Sequence, residues 1–492
     1  MNKIFTFYIT TLMIFLSLPA KAQQAPEIRL FTLAEVVQLA KEKSPSYRYT
    51  SVLFENRQWQ YKSFKANFLP QLNLNGYLPE YNKNIIPLLQ PNGIQLLRNH
   101  SASSFMQLSL GQEVWFTGGY ISINSNVTRF DDFIKGENRV PLRYTSVPAT
   151  VTFNQPFFGY RWLKWENKIQ PLRYEEAKRE YWEKMEGIAE EASGHFFNLL
   201  LSQISYQIAT KNVATNEILY KVAQERFAKG TIPESELLQL ELALLNARQN
   251  LEQTALEVEG STLRLKVYLG LTDDNSITLV PPSEIPQFNV DEKFALEQAH
   301  QNRQRMIGFQ RELLEADQNM ARAKGETGVS ANLFASFGLT QQAIDLTEVY
   351  QDPSQQQRLR IGFNIPVMDW GRSDARLGTA KANLELVKAN VEQQRINFDQ
   401  DIYLNVKRFK VLRNQMIVAK RTDEIAEKRY TLTKERYLDG QIGILELNVA
   451  TEERDKATRS YVSALRNFWL AYYNLRQITL YDFELNQPIL VK

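Results

Sequence analysis

The chain has 492 residues, with 58 basic and 55 acidic side chains and a net charge of +3. That balance argues against a nucleic-acid binder, which carries a concentrated basic surface. With no Cys it can form no disulfide, thiolate metal site, Cys nucleophile or lipidated N-terminal Cys, and His100, His195 and His300 are too scattered for a metal site.

The N-terminus reads as a secretory signal peptide. Lys3 precedes an apolar run from Ile4 to Leu18, and Pro19-Ala20-Lys21-Ala22 supplies an Ala-x-Ala site cut after Ala22. No later stretch is long and apolar enough for a membrane helix, so an exported chain of this kind enters a membrane only as strands of a closed barrel.

Helical periodicity runs from Phe31 to Ala66, opened by Thr32 with Glu35 three residues on and broken or bent at Pro45. At Phe68-Leu69-Pro70 the period changes to two. Leu72 and Leu74 alternate with Gln71, Asn73 and Asn75, the pattern of a strand with one apolar face. Residues 79–103 are rich in Pro, Asn, Gly and Ser and read as loop. Two further alternating runs, 106–110 and 121–128, flank a turn at Gly118-Gly119. A fourth ends at Val151-Thr152-Phe153-Asn154-Gln155-Pro156.

A long helical pattern follows, from Trp162 to Ala228. Its roughly 67 residues make a rod of about 100 Å. It stops at Glu225-Arg226-Phe227-Ala228-Lys229-Gly230-Thr231-Ile232. Thr231, Pro233 and Glu234 read as the cap and first turn of a return helix, which ends at Leu269-Gly270. The Pro-rich segment 271–287 is a connector.

Then the pattern starts again. Helical spacing covers 294–324, alternating strands cover 331–339 and 359–365, and a polar loop lies between them. Pro366-Val367-Met368-Asp369-Trp370-Gly371-Arg372 leads into a second rod, which stops at Glu435-Arg436-Tyr437-Leu438-Asp439-Gly440-Gln441-Ile442. Val151–Pro156 and Ile361–Pro366 lie 210 residues apart, as do Gly230 and Gly440. Pro70–Leu74 and Val329–Leu333 lie 259 apart. The first half therefore holds a 49-residue insertion, which the Gly118-Gly119 hairpin accounts for. The organisation is a signal peptide 1–22, a first repeat 23–270, a connector 271–290, a second repeat 291–480 and a tail 481–492.

The fold class this predicts is mostly helical. Long antiparallel helical hairpins form an α-barrel, and the strands form a membrane β-barrel shared between copies of the chain, since a few strands alone leave an edge open in lipid. Phe68, Phe157, Phe158, Tyr160, Trp162, Trp165 and Trp370 crowd the strand–helix junctions. That is where an interfacial belt sits, although ordinary cores also use such residues.

At this point the chain resembles the TolC-like outer-membrane efflux protein family, on the Pro366–Arg372 motif and the duplicated Arg/Tyr-x-x-x-Gly turn followed by Glu236-Leu237 and Glu446-Leu447. The resemblance implies a homotrimer, two strands from each half of the chain, and an outer-membrane barrel continuous with a periplasmic α-barrel. It implies an exit duct of tripartite efflux or type I secretion, partnered by a periplasmic adaptor and an inner-membrane pump. Arg226, Gly230, Thr231, Arg436, Gly440 and Gln441 are then the adaptor-docking tips, and Glu236 and Glu446 acids at the periplasmic entrance. For Glu446 a plain helix-start acid is the other reading. Ile442 and Val449 stand where some members carry an Arg and an acid. The insertion either adds a hairpin to the barrel or folds outside it. No catalytic, cofactor or metal residues are expected, and the chain is not read as an enzyme. The rival readings are a periplasmic coiled-coil scaffold and a general porin.

Overall fold

The computed structural model describes residues 29–91, 93–134, 142–273 and 275–489. The signal-peptide reading lies outside them. In chain order the elements are β1 (Arg29–Phe31), α1 (Leu33–Lys43), α2 (Pro45–Ala66), β2 (Gln71–Gln90), β3 (Gly93–Val114), β4 (Gly119–Asp132) and β5 (Leu142–Phe157). The helices α3 (Trp162–Ala228) and α4 (Glu234–Leu269) follow, then β6 (Ile277–Leu279), α5 (Glu292–Asn302), α6 (Gln304–Thr327), β7 (Ser330–Ala343) and β8 (Ser354–Asn364). The chain ends with α7 (Arg372–Leu438), α8 (Ile444–Thr479) and the short pair β9 (Tyr481–Asp482) and β10 (Gln487–Pro488). No described helix is long and apolar enough to cross a membrane.

Element lengths match between the two halves of the chain. α3 and α7 each have 67 residues, and α4 and α8 each have 36. α1 and α5 have 11 residues each and break at Ser44 and Arg303, again 259 apart. The sequence reading ran straight through the second break. Pro45 marks the first by its missing N–H, whereas nothing at Arg303 does so. Thr32 and Glu35 form the expected capping box, and Asp291 caps α5 by accepting from the Phe294 N–H at 2.9 Å.

Two compact units emerge. One contains β1, α1, the Met185–Asn289 portion with α4 and β6, and Arg408–Leu475. β1 pairs in parallel with β6, inside the segment expected to be plain connector. Its core includes Phe196, Phe197, Leu199 and Phe468, all buried, and the Phe409 ring lies tilted against Phe468 with centroids 5.5 Å apart. Lys41 meets the buried Glu186 at 2.6 Å.

The other unit holds α2, α5, α6, the strands β2–β5, β7 and β8, and the strand-side ends of α3 and α7. Its six strands form one antiparallel sheet in the order β2-β3-β4-β5-β7-β8, and β2 does not pair with β8. Residues 79–103 are therefore not loop. β2 and β3 continue through them for 20 and 22 residues, paired rung by rung to Gln90 and Gly93. The Pro and Asn content misled because β2 is an edge strand. Pro79 sits in a register shift, and Pro is tolerated at edges and bulges. The insertion thus lies within the sheet, between β2 and β5.

Register sorts the side chains. Leu72, Leu110, Ile123, Val151 and Phe337 share one rung on one face, and Leu359, Ile361 and Phe363 continue that face on β8. Most are exposed, with Ile361 at 69%. The opposite face carries Asn73, Ser109, Asn124, Ser122, Thr152 and Arg360. Ser109 donates to the Asn124 side chain at 2.6 Å, and Asn124 donates to Ser122 at 2.9 Å. On β4 the apolar face gives way to the Arg129–Asp131 ion pair away from the helices, while on β2 and β3 Ile85, Leu89, Ile94 and Leu96 carry it further. At the helix side, Phe158, Trp162 and Trp370 stand exposed rather than in a core.

Candidate functional site at the two helix turns

Both long helices end in the same hydrogen-bonded turn. At the first, the Thr231 N–H donates to the Arg226 carbonyl at 3.0 Å and the Gly230 N–H to Phe227 at 2.9 Å. At the second, Gln441 donates to Arg436 at 2.9 Å and Gly440 to Tyr437 at 3.0 Å. This six-to-one plus five-to-two pattern is a Schellman stop, and it needs a left-handed residue. Gly230 (φ 68°) and Gly440 (φ 74°) supply it without a Cβ penalty.

Thr231 does not cap the return helix. Its hydroxyl donates to the Arg226 carbonyl at 2.8 Å, so it closes the outgoing helix. Pro233 is the N-cap residue of α4 and forms no side-chain cap, while Glu234 opens the helix. A Thr just after a Schellman Gly can satisfy either helix, and here the nearer orphan carbonyl took it.

The two turns pack against each other. Leu219, Ala223 and Leu240 from the first hairpin meet Tyr430, Tyr437, Ile444 and Leu447 from the second, with Ile232 and Ile442 at the margin. Ile442 is thus part of an apolar contact. Arg226 crosses between them. Its guanidinium donates to the Leu438 carbonyl at 3.2 Å and lies 5.6 Å from the Tyr437 ring centroid. Burial, reinforced by the nearby Glu236 carboxylate, pushes the Tyr437 phenol above its ordinary range, and Arg226 opposes the shift.

The structure brings some expected residues together and separates others. Arg226, Glu236 and Tyr437 are neighbours. Gly230, Thr231, Arg436, Gly440 and Gln441 are exposed on the turns. Glu446 is exposed in the first turn of α8, where a negative charge also suits the helix N-terminus.

A buried polar cluster above the second turn was not anticipated. Arg454 contacts Asp455 at 2.9 Å through Nε, and Asn212 bridges both, donating to Asp455 at 2.6 Å and accepting from Arg454 at 2.9 Å. Arg454 lies 3.9 Å over the Tyr430 ring. A signal existed: Leu447, Ala450, Ala457 and Tyr461 mark a seam, and Arg454 occupies a seam position between them.

A second apolar stripe also escaped notice. Leu238, Leu242, Leu245, Leu256 and Leu263 fall on two heptad positions along α4, and Val411, Val418, Ile425 and Leu432 fall seven apart on α7. All are more than half exposed. The α7 stripe borders a groove of about 740 Å³ that also involves Ala426 and Ala457.

The outer membrane efflux protein family model matches residues 135–271 and 295–479, about two thirds of the chain. No curated protein matches. The fold is similar to the Campylobacter jejuni CmeC outer membrane channel (TM-score 0.64, 15% identity, covering 91% of this chain and 85% of that one). It is also similar to the Vibrio cholerae outer membrane protein VceC (0.61, 13%, 91% and 95%) and to the open state of the Neisseria gonorrhoeae MtrE outer membrane channel (0.59, 15%, 91% and 88%). The matched helical hairpins and strand segments, present in both halves, place this chain in the outer membrane efflux protein family.

Proposed function

We propose that the protein is a passive exit duct in the outer membrane, serving tripartite efflux or type I secretion. The observation that carries this reading is the apolar face that stays in register from β2 to β8 on a sheet left open at both edges. Water would make that face costly, whereas lipid suits it, provided other copies complete the ring. The exposed heptad stripes on α4 and α7 support a homotrimer, because each is a helix-packing seam without a partner in its own chain. The two Schellman turns then form the periplasmic end. Arg226, Gly230, Thr231, Arg436, Gly440 and Gln441 meet an adaptor linked to an inner-membrane pump, and Glu236 and Glu446 place acid at the entrance. No bond is made or broken; the duct contributes width and lining charge. The second hairpin, with Gln441-Ile442-Gly443 in place of Thr231-Ile232-Pro233, is the one that moves.

Membrane fractionation and a dye-export assay test this together. The chain should resist high-salt extraction, require detergent for release, and restore dye export to cells deleted for it. Release by salt alone would identify a peripheral scaffold and sink the proposal.

A further inference from the structure

The open sheet has six strands where the family resemblance implies four, and its two free edges are made to match. β2 leaves α2 and β8 leads into α7, so chain direction is opposite at the two edges. Every internal pairing is antiparallel. An even number of alternating strands means that β8 of one copy, set beside β2 of another, continues the same antiparallel order.

The faces match as well. Leu72 and Leu74 at one edge, and Leu359, Ile361 and Phe363 at the other, lie on the same side of the sheet. On the opposite side, Asn73 and Asn75 correspond to Arg360 and Asn364. A joined ring is then apolar outside and polar inside without interruption. Six strands cannot close alone, since the smallest membrane barrels have eight. Unpaired edge groups in lipid cost several kcal/mol each.

We infer that β2 of one copy pairs with β8 of the next, and that three copies close an eighteen-stranded barrel rather than a twelve-stranded one. The copy number rests on the duct reading above, whereas the edge match rests on the sheet itself. Barrel diameter grows roughly linearly with strand number, and about 16–18 strands leave an aqueous channel. The barrel is therefore not the narrow point, and size discrimination falls to the helix turns. β8 has 11 residues and β2 has 20, so part of β2 lies outside the join. The β2–β3 hairpin beyond it mixes Asn82, Lys83, Asn84, Arg98 and Asn99 with the exposed apolar residues Ile85, Leu89, Ile94 and Leu96.

The natural absence of Cys makes paired cysteines a clean probe. Leu72→Cys or Leu74→Cys is combined with Leu359→Cys, Ile361→Cys or Phe363→Cys in the full chain, which samples several registers. A control pairs Leu74→Cys with Leu108→Cys, register partners within one copy. Native mass measurement on the detergent extract accompanies each. At least one edge pair, oxidised in membranes, should give a reducible ladder ending at trimer, and the control should oxidise without a ladder. A ladder ending at dimer means a twelve-stranded ring of two copies and overturns the inference. A native trimer with an oxidised control and no ladder from any edge pair also overturns it, yet leaves the duct reading standing. A monomer by native mass sinks both.

Discussion

The turn after α3 and the turn after α7 share a backbone, yet the hairpins behind them are held differently. The second hairpin buries Arg454 and Asp455, and 210 residues earlier the first has Leu244 and Leu245. Arg226 of the first turn reaches the second through the Leu438 carbonyl, whereas the equivalent Arg436 is exposed. Apolar contact joins the two hairpins at the turns, and above them the ion pair of the second hairpin is tied to the first through the Asn212 amide. Apolar seams tolerate small slips, while an ion pair with satisfied hydrogen bonds favours a few discrete arrangements. A polar tie of that kind gives the second hairpin discrete positions against the first, whereas the apolar contact at the turns can slip.

The largest test of this contrast is Asp455→Ala. It leaves the Arg454 guanidinium buried without its carboxylate, and should cost about 3–5 kcal/mol in denaturant unfolding of the detergent-solubilised protein. The double change Arg454→Leu with Asp455→Leu copies the first hairpin and should be neutral or stabilising. A single variant as stable as wild type would erase the contrast.

Next come the glycines. A Cβ at a left-handed residue costs about 1–2 kcal/mol, so Gly230→Val and Gly440→Val should destabilise equally. Function should separate them. Gly440→Asp is expected to reduce adaptor cross-linking severalfold with the trimer intact, and Gly230→Asp to reduce it less. Equal losses would remove the assignment of movement to the second turn.

Smaller effects follow at the arginines. Arg226→Ala loses an exposed hydrogen bond and a ring contact, at about 1 kcal/mol. Arg436→Ala should stay within about 0.5 kcal/mol. Thermal scans of the two variants side by side would show the difference.

The smallest concerns pH. The Tyr437 phenol is raised by burial, so the unfolded chain loses this proton first as pH climbs past about 10. More protons are then bound by the folded form, and stability falls with rising pH. Unfolding between about pH 9 and 11 should show a shallower loss in Tyr437→Phe than in wild type.

Much of the fold could be read in advance because periodicity and stops are local properties. The 67-residue rods, the Gly stops and the Thr32–Glu35 box all follow from residues near one another. Pairing partners do not. Whether Asn82 or Ser101 lies in a strand is decided by the chain across the rung, so the long β2–β3 hairpin was invisible. Likewise Thr231 lies between two helix ends, and only the folded turn selects one. Arg454 in a seam was readable as an anomaly, but its partner Asn212 lies on a different helix.

The equal lengths of α3 and α7 make the two helices matched rulers. Deleting one residue from either rotates everything beyond the cut by about 100° and draws it back by about 1.5 Å. Deleting a heptad keeps the face but shifts the turn by about 10 Å. Made in α7 alone, that cut would carry the Leu438 carbonyl out of reach of Arg226. Made in both helices, it would leave the two turns level. Length in this molecule is a joint property of the repeats, and one half cannot drift without the other.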